Sequence, residues 1–181
     1  MTRTVTLTHS DNHARREAFY HTMRRDIGRR YRQFDLLSAE VCFNIAQTFT
    51  RAEIKLAEKI HAVGLTLAGF NVLLILSQYK EAGCAQNALS HLLVVSRANI
   101  TGVVDSLIRK GLVTRSENSK DRRVVMARLT HKGAELLHSY LPVHYGFMRK
   151  LTACLTAAEK TSLIRLLTKA RQGFIDLNAN S

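Results

Sequence analysis

Between residues 85 and 130 the chain reads AQNALSHLLVVSRANITGVVDSLIRKGLV followed by TRSENSKDRRVVMARLT. The positions of the apolar residues in this stretch leave few folds open. From Ile100, apolar side chains recur at Val103, Val104, Leu107 and Ile108, the three-and-four spacing of a helix with one buried stripe. At about 100° per residue, the outer face of that helix centres on Ala98, Gly102, Asp105 and Arg109, with Thr101 and Ser106 at its edges. A mid-helix glycine costs roughly 1 kcal/mol against alanine. Close approach of the backbone to a partner, such as the floor of a major groove, offsets that cost; a contact between helices or a tolerated defect is the alternative. A shorter helix is expected near 86–93, then the turn Val94-Val95-Ser96, with Ser96 a suitable N-cap. Gly111 closes the second helix, and residues 112–115 pair with 123–129 across a polar, basic loop at 116–121. Two helices joined by a tight turn and followed by a basic hairpin form the layout of a winged helix that docks on DNA.

Charge points the same way. The 181 residues include 27 Lys and Arg against 14 Asp and Glu, a formal charge of +13 that draws the molecule towards polyanions. Eight basic and two acidic residues fall between 109 and 132, a net +6 beside the helix-turn-helix pattern, which favours nucleic acid over a membrane surface. Residues 1–35 hold eight arginines and four acids. One proline, no tryptophan and few aromatics suit a mainly α protein. No apolar run is long enough to span a membrane or serve as a signal peptide, so a cytoplasmic location is expected. Cys42, Cys84 and Cys154 are odd in number and widely spaced, which argues against a disulfide framework or a structural zinc site.

Outside the central region the pattern is of long amphipathic helices. Phe19, Met23, Ile27, Tyr31 and Phe34 stripe an additional N-terminal helix over about 12–34. Val41, Ile45, Phe49, Ala52, Leu56 and Ile60 stripe a second over about 36–62. Gly64 ends it, and Thr66 caps a third that runs to about Tyr79, before a turn at Glu81-Ala-Gly. Thr130 caps a long helix to about Leu155 that Pro142 and Gly146 should bend or interrupt, and a last helix covers about 157–177 with Leu163, Ile164, Leu167, Ala170, Phe174 and Ile175 on one face. A small winged helix cannot bury all these stripes, and the economical partner is a second copy of the chain.

The sequence resembles the MarR family of transcriptional regulators over about 36–174. The resemblance is carried by LTLAGFNVLLIL, by QNALSHLLVVSRANITGVVDSLIRKGLVTR and by DRRVVMARLTHKG, with Asp121-x-Arg123 in the wing joined to Leu129-Thr130-x-x-Gly133. It implies a mainly α (α+β) winged helix-turn-helix with long N- and C-terminal dimerisation helices. The expected organisation is an N-terminal extension at 1–35 and a MarR-type domain at 36–177. Within that domain the helix-turn-helix lies at about 85–110, the wing at 112–130 and the dimerisation helices at 36–62 and 131–177.

The family's DNA-contacting positions map residue by residue. Ser96, Arg97, Asn99, Thr101 and Gly102 match the start of the recognition helix; Arg97 and Asn99 lie near its flanks, where phosphate contact and base reading are equally open. Arg123 matches the wing arginine that enters the minor groove, and Asp121 the acid beside it, whose alternative role is to orient the wing by pairing with an arginine. Arg109 lies on the outer face, and Arg115, Lys120 and Arg122 are general phosphate partners. The resemblance further implies a homodimer on double-stranded DNA with a pseudo-palindromic operator, acting as a repressor and released by a small aromatic or phenolic effector. Phe49, Arg51, His61 and Phe70 are the candidate lining of the effector cleft, although an aromatic on these helices is more often core. Urate-binding members use a tryptophan, and this chain has none.

Two other readings compete. Cys42, in VCFNI, resembles the reactive thiol of peroxide-sensing members, but no tyrosine lies between Phe43 and Gln78 to support a thiolate; its plainer role is a small buried hydrophobe. A basic winged-helix dimer that coats DNA with little sequence choice is the other. Catalysis is not expected: His131, His138 and His144 are spaced by seven and six, unlike a His-x-x-x-His metal pair, and no phosphate loop, nucleophile elbow or dinucleotide fingerprint is present. No cofactor and no metal are expected.

Overall fold

Most of the apolar periodicity becomes helix. A computed structural model describes residues 9–79, 82–93, 97–117 and 124–179, and the chain divides into two units, one up to Lys55 and one from Leu56. The first unit holds α1 (His9–Gly28) and α2 (Leu36–His61) as far as Lys55. α1 stops six residues short of the expected end at 34. The chain instead closes into successive turns, with Arg30 N–H donating to the Ile27 carbonyl at 3.1 Å, Tyr31 N–H to Gly28 at 2.8 Å and Phe34 N–H to Tyr31 at 3.2 Å. These turns fold the Phe34 ring over Gly28, where a Cβ would collide with it. Asp35 then caps α2 by accepting from Ser38 N–H at 2.7 Å. Contacts between α1 and α2 centre on Arg24, whose Nη2 donates to Glu40 Oε1 at 2.8 Å while its guanidinium lies 3.6 Å from the centroid of the Phe43 ring.

The second unit carries the rest: α3 (Leu67–Tyr79), β1 (Cys84–Ala85), α4 (Gln86–Leu93), α5 (Arg97–Arg109), β2 (Val113–Glu117), β3 (Val125–Leu129), α6 (His131–Leu151) and α7 (Ala157–Ala179). The hairpin pairs Val113 with Leu129 and Glu117 with Val125. β1, a strand where the sequence pattern showed only the end of a turn, adds to the far side of β3 by pairing Cys84 with Ala127, so the sheet order is β1-β3-β2. Gly83, at φ +70°, makes that approach possible: a Cβ there would meet the Ala127 carbonyl oxygen at 2.7 Å. Ile60, Phe70, Leu73, Leu76, Leu89, Ile100, Val104, Leu107, Val113, Ala127 and Leu137 form one core beneath sheet and helices. Each large aliphatic or aromatic side chain buried there contributes about 1.5–3 kcal/mol.

The caps at Thr66 and Thr130 fall where the sequence suggested. Thr66 Oγ1 accepts from Gly69 N–H at 3.0 Å and starts α3. Thr130 Oγ1 accepts from Gly133 N–H at 3.0 Å and donates to the Gly111 carbonyl at 2.8 Å, tying α6 to the end of α5. Gly133 is required by close packing, since a Cβ would run into the Leu112 carbonyl oxygen. α6 corrects one expectation: it runs uninterrupted through Pro142 and Gly146 and ends at Leu151, not near Leu155. Pro142 cannot donate to the His138 carbonyl one turn back, and the helix continues on either side of it. Thr156 and Glu159 form a reciprocal capping box at α7, with Thr156 N–H on Glu159 Oε2 at 2.7 Å. Among the described residues, no helix is long and apolar enough to cross a membrane.

Candidate nucleic-acid interface

α5 packs as its spacing demands. Ile100, Val104 and Leu107 are fully buried and Val103 and Ile108 half-buried, while Asn99, Thr101, Gly102 and Arg109 are exposed. A Cβ built on Gly102 meets nothing within 4 Å. The glycine is therefore not explained by any contact within the described chain, and the backbone there is open to an outside partner. Arg97 is the first residue of α5. Ser96 and the wing residues Lys120, Asp121, Arg122 and Arg123 lie outside the described residues.

Arg115 has a different environment from the one expected of a general phosphate partner. Its Nη2 donates to Asp105 Oδ1 at 2.7 Å, and the Gln86 side-chain oxygen, with the amide turned towards the guanidinium, accepts from Nη2 at 2.9 Å and from Nε at 3.3 Å. One side chain on β2 thus joins the start of α4, the outer face of α5 and the wing. It also neutralises the carboxylate that would otherwise repel phosphate from the middle of α5. Neither Gln86 nor this pairing emerges from apolar periodicity; the signal available was an acid on an otherwise small and basic face, with an arginine on the adjoining strand.

The other basic residues of the region divide in the same way. Lys110 Nζ donates to the Gly64 carbonyl and Lys132 Nζ to the Lys110 carbonyl at 3.0 Å, so both serve the fold. Arg109 and Arg128 are exposed, and neither meets a carboxylate among the described residues. The chemistry on offer is a helix face with an open backbone and an arginine at its end, flanked by a hairpin strand carrying another.

The four residues of the expected effector lining are divided between the two units. Phe49 and Arg51 are exposed in the first unit, where Arg51 faces Glu17 at 3.8 Å. In the second unit His61 is exposed, and Phe70, 1% exposed, is core: its ring packs against Tyr140 and His144 with centroids 5.6 and 4.6 Å away. Burial lowers the pKa of His144 and raises that of Tyr140. A separate open groove of about 460 Å³ lies among α3, β3 and α6, lined by Leu129, Leu137 and Leu141 together with His131, Glu135 and His138. Cys42 is exposed, not a buried hydrophobe, whereas Cys84 is 2% exposed and its thiol pKa is pushed up by burial.

Residues 65–125 match the model of the MarR family. The chain is 27% identical over 135 residues to the transcriptional repressor MprA of Escherichia coli K12, spanning 75% of each chain. It is 30% identical to the HTH-type transcriptional regulator MhqR of Bacillus subtilis strain 168, over 61% of this chain and 74% of that one. Among solved structures, a mutant of Escherichia coli MarR complexed with operator DNA superposes with a TM-score of 0.66 at 28% identity, over 76% of this chain and 99% of its own. The chain belongs to the MarR family. It is a winged-helix, DNA-binding transcriptional regulator.

Proposed function

We propose that this MarR-family chain is a repressor that binds a pseudo-palindromic operator as a homodimer in the cytoplasm, does no catalysis, and is released by a small aromatic or phenolic effector. α5 enters the major groove through Asn99, Thr101 and Gly102, with Ser96, Arg97 and Arg109 at its margins. Lys120, Asp121, Arg122 and Arg123 form the tip that reaches the flanking minor groove. The proposed organisation is the N-terminal extension at 1–35 and the regulator domain at 36–177. Two-fold docking requires half-sites roughly 34–36 Å apart. The observation that carries this reading is the open backbone at Gly102 on the exposed face of α5.

Gly102→Leu tests it directly. The added side chain projects into free space, so the fold should stay intact by circular dichroism while preference for a palindrome over random duplex disappears in fluorescence anisotropy. Equal binding of the palindrome by the variant and the wild type would demote α5 to a structural element, and a wild type without any palindrome preference would favour a DNA-coating role.

The exposure of Cys42 supports a second reading, a peroxide-sensing regulator. Titrating operator complexes with organic hydroperoxide separates the two. Under the effector reading wild type and Cys42→Ser behave alike, and release of the wild type alone would establish the thiol as the signal.

A further inference from the structure

The connection between α1 and α2 concentrates cations that the winged helix does not explain. Arg25, Arg29, Arg30 and Arg32 fall within eight residues against one acid, Asp26, a net +3. Arg25 has an acid nearby, its own neighbour Asp26 at 3.4 Å. Arg29, Arg30 and Arg32 are exposed and meet no carboxylate among the described residues. The acids that follow are otherwise engaged, Asp35 as the cap of α2 and Glu40 by Arg24.

These arginines are held on ordered backbone. Arg29 N–H continues the helix by donating to the Arg25 carbonyl at 3.2 Å, and the turns that follow are closed by the hydrogen bonds to Ile27, Gly28 and Tyr31 and by Phe34 over Gly28. Grouping three guanidinium groups here without counterions raises their mutual repulsion, and a polyanion relieves it. On a helix of about 100° per residue, Arg25 and Arg29 lie on the side of α1 opposite Phe19, Met23 and Ile27. Covering the apolar side with a second copy of the chain would therefore leave Arg25 and Arg29 facing solvent.

We propose that Arg29, Arg30 and Arg32, with Arg25 beside them, are a second DNA contact. They would bind phosphodiester oxygens of duplex outside the two half-sites and lengthen the footprint of the dimer. The proposal rests on the DNA-binding reading above. Guanidinium groups suit it because each presents paired N–H donors to phosphate oxygens, and because exposed arginines without base-reading geometry supply affinity in place of discrimination.

The test uses the full chain and the triple variant Arg29→Gln, Arg30→Gln, Arg32→Gln, which keeps the polar stems and spares Gly28, Phe34 and Asp35. A palindrome selected by the wild type from a random duplex pool is prepared in two lengths, one limited to the half-sites and one extended by about one helical turn at each end. Anisotropy is measured across a salt series. The wild type should bind the longer duplex more tightly and with a steeper salt slope; in the triple variant the gain from length disappears. Each phosphate partner removed from both protomers lowers the slope on the longer duplex by about 2, so the triple variant should lose up to about 5. An equal weakening on both lengths, or none on either, would overturn the proposal while leaving the winged helix intact. Failure of the wild type to select or bind any duplex would overturn the underlying reading as well, and is separately recognisable. Vesicles of phosphatidylserine form the control arm. Arginine-dependent capture on them without any effect of length on DNA binding would assign the cluster to a membrane surface and refute the DNA contact.

Discussion

At the residue scale, the wing and the recognition helix are coupled through one guanidinium. If Arg115 positions α5 and β2 by way of Asp105, both partners support DNA binding; if Arg115 instead reached a phosphate, removing Asp105 would take away a negative charge and tighten the complex. We therefore expect Asp105→Ala and Arg115→Ala each to weaken operator binding, and the double variant to be little worse than either single change. Anisotropy on the selected palindrome reads the cycle, and tighter binding by Asp105→Ala would return Arg115 to the phosphate partners. Both side chains are over a third exposed, at 40% and 37%. The pair should add no more than about 1 kcal/mol to global stability, so the effect belongs to binding. Charge counting along the sequence marks this arginine as basic and available. It cannot mark it as paired, because its partners lie on two other elements, ten and twenty-nine residues away.

At the scale of elements, local signals are the readable ones. The stripe of Ile100, Val104 and Leu107, the caps at Thr66 and Thr130 and the left-handed Gly64 and Gly111 each depend on a few neighbouring residues, and α3, α4, α5 and the hairpin follow from them. The features that periodicity misses are decided at long range. β1 exists only because β3 lies beside it; Phe70, a plausible ligand contact on its own helix, is core because α6 lays Tyr140 and His144 across it. α1 ends early because Phe34 packs on Gly28, a contact invisible to periodicity. Two measurements probe these packings. Gly133→Ala forces a Cβ towards the Leu112 carbonyl and should cost about 1–3 kcal/mol in denaturant melts; no change in midpoint would mean that the start of α6 can shift at no cost. Burial against Phe70, Tyr140 and Tyr145 disfavours the charged form of His144, so its folded pKa lies below its ordinary value. The unfolded chain then binds more protons as the pH drops, and the stability linked to this group is full above about 6.5 and lost as pH falls through that value towards the folded pKa. Unfolding measured from about pH 8 to about pH 5 should show this decline, and His144→Phe should flatten it. An identical acid slope in the variant would place the sensitivity elsewhere.

At the scale of the molecule, the apolar surface left on the outer helices calls for a cover. In α7, Leu163, Ile164, Leu166, Leu167, Phe174, Ile175 and Leu177 are exposed, in α6 Val143, Tyr145 and Met148, and in α1 and α2 Phe19, Ile27, Val41 and Phe49. Scattered apolar residues are ordinary on a surface, but rows at helical spacing on four helices exceed what a monomer keeps in water. Stable pairs of protomers bury on the order of 800 Å² each, an area such rows can supply. A second copy presents the same rows, and a two-fold arrangement closes the surface without leaving an open end. Such a dimer also links the two units of the chain to DNA binding, since the spacing of two recognition helices then depends on helices that touch no base. Deletion of residues 1–34 should weaken the dimer, because it removes only the α1 share of the rows. Deletion from residue 157 onward should abolish it, because the longest uninterrupted row goes with α7. Sedimentation velocity over a concentration series measures both, with palindrome binding by anisotropy as the functional readout. The second truncation should sediment as monomer or aggregate and lose the palindrome. A dimer of normal affinity after that deletion would show that the apolar rows of α7 serve another partner, and a well-folded monomer that still gripped the palindrome would show that pairing of the protomers is not what sets the spacing of the recognition helices.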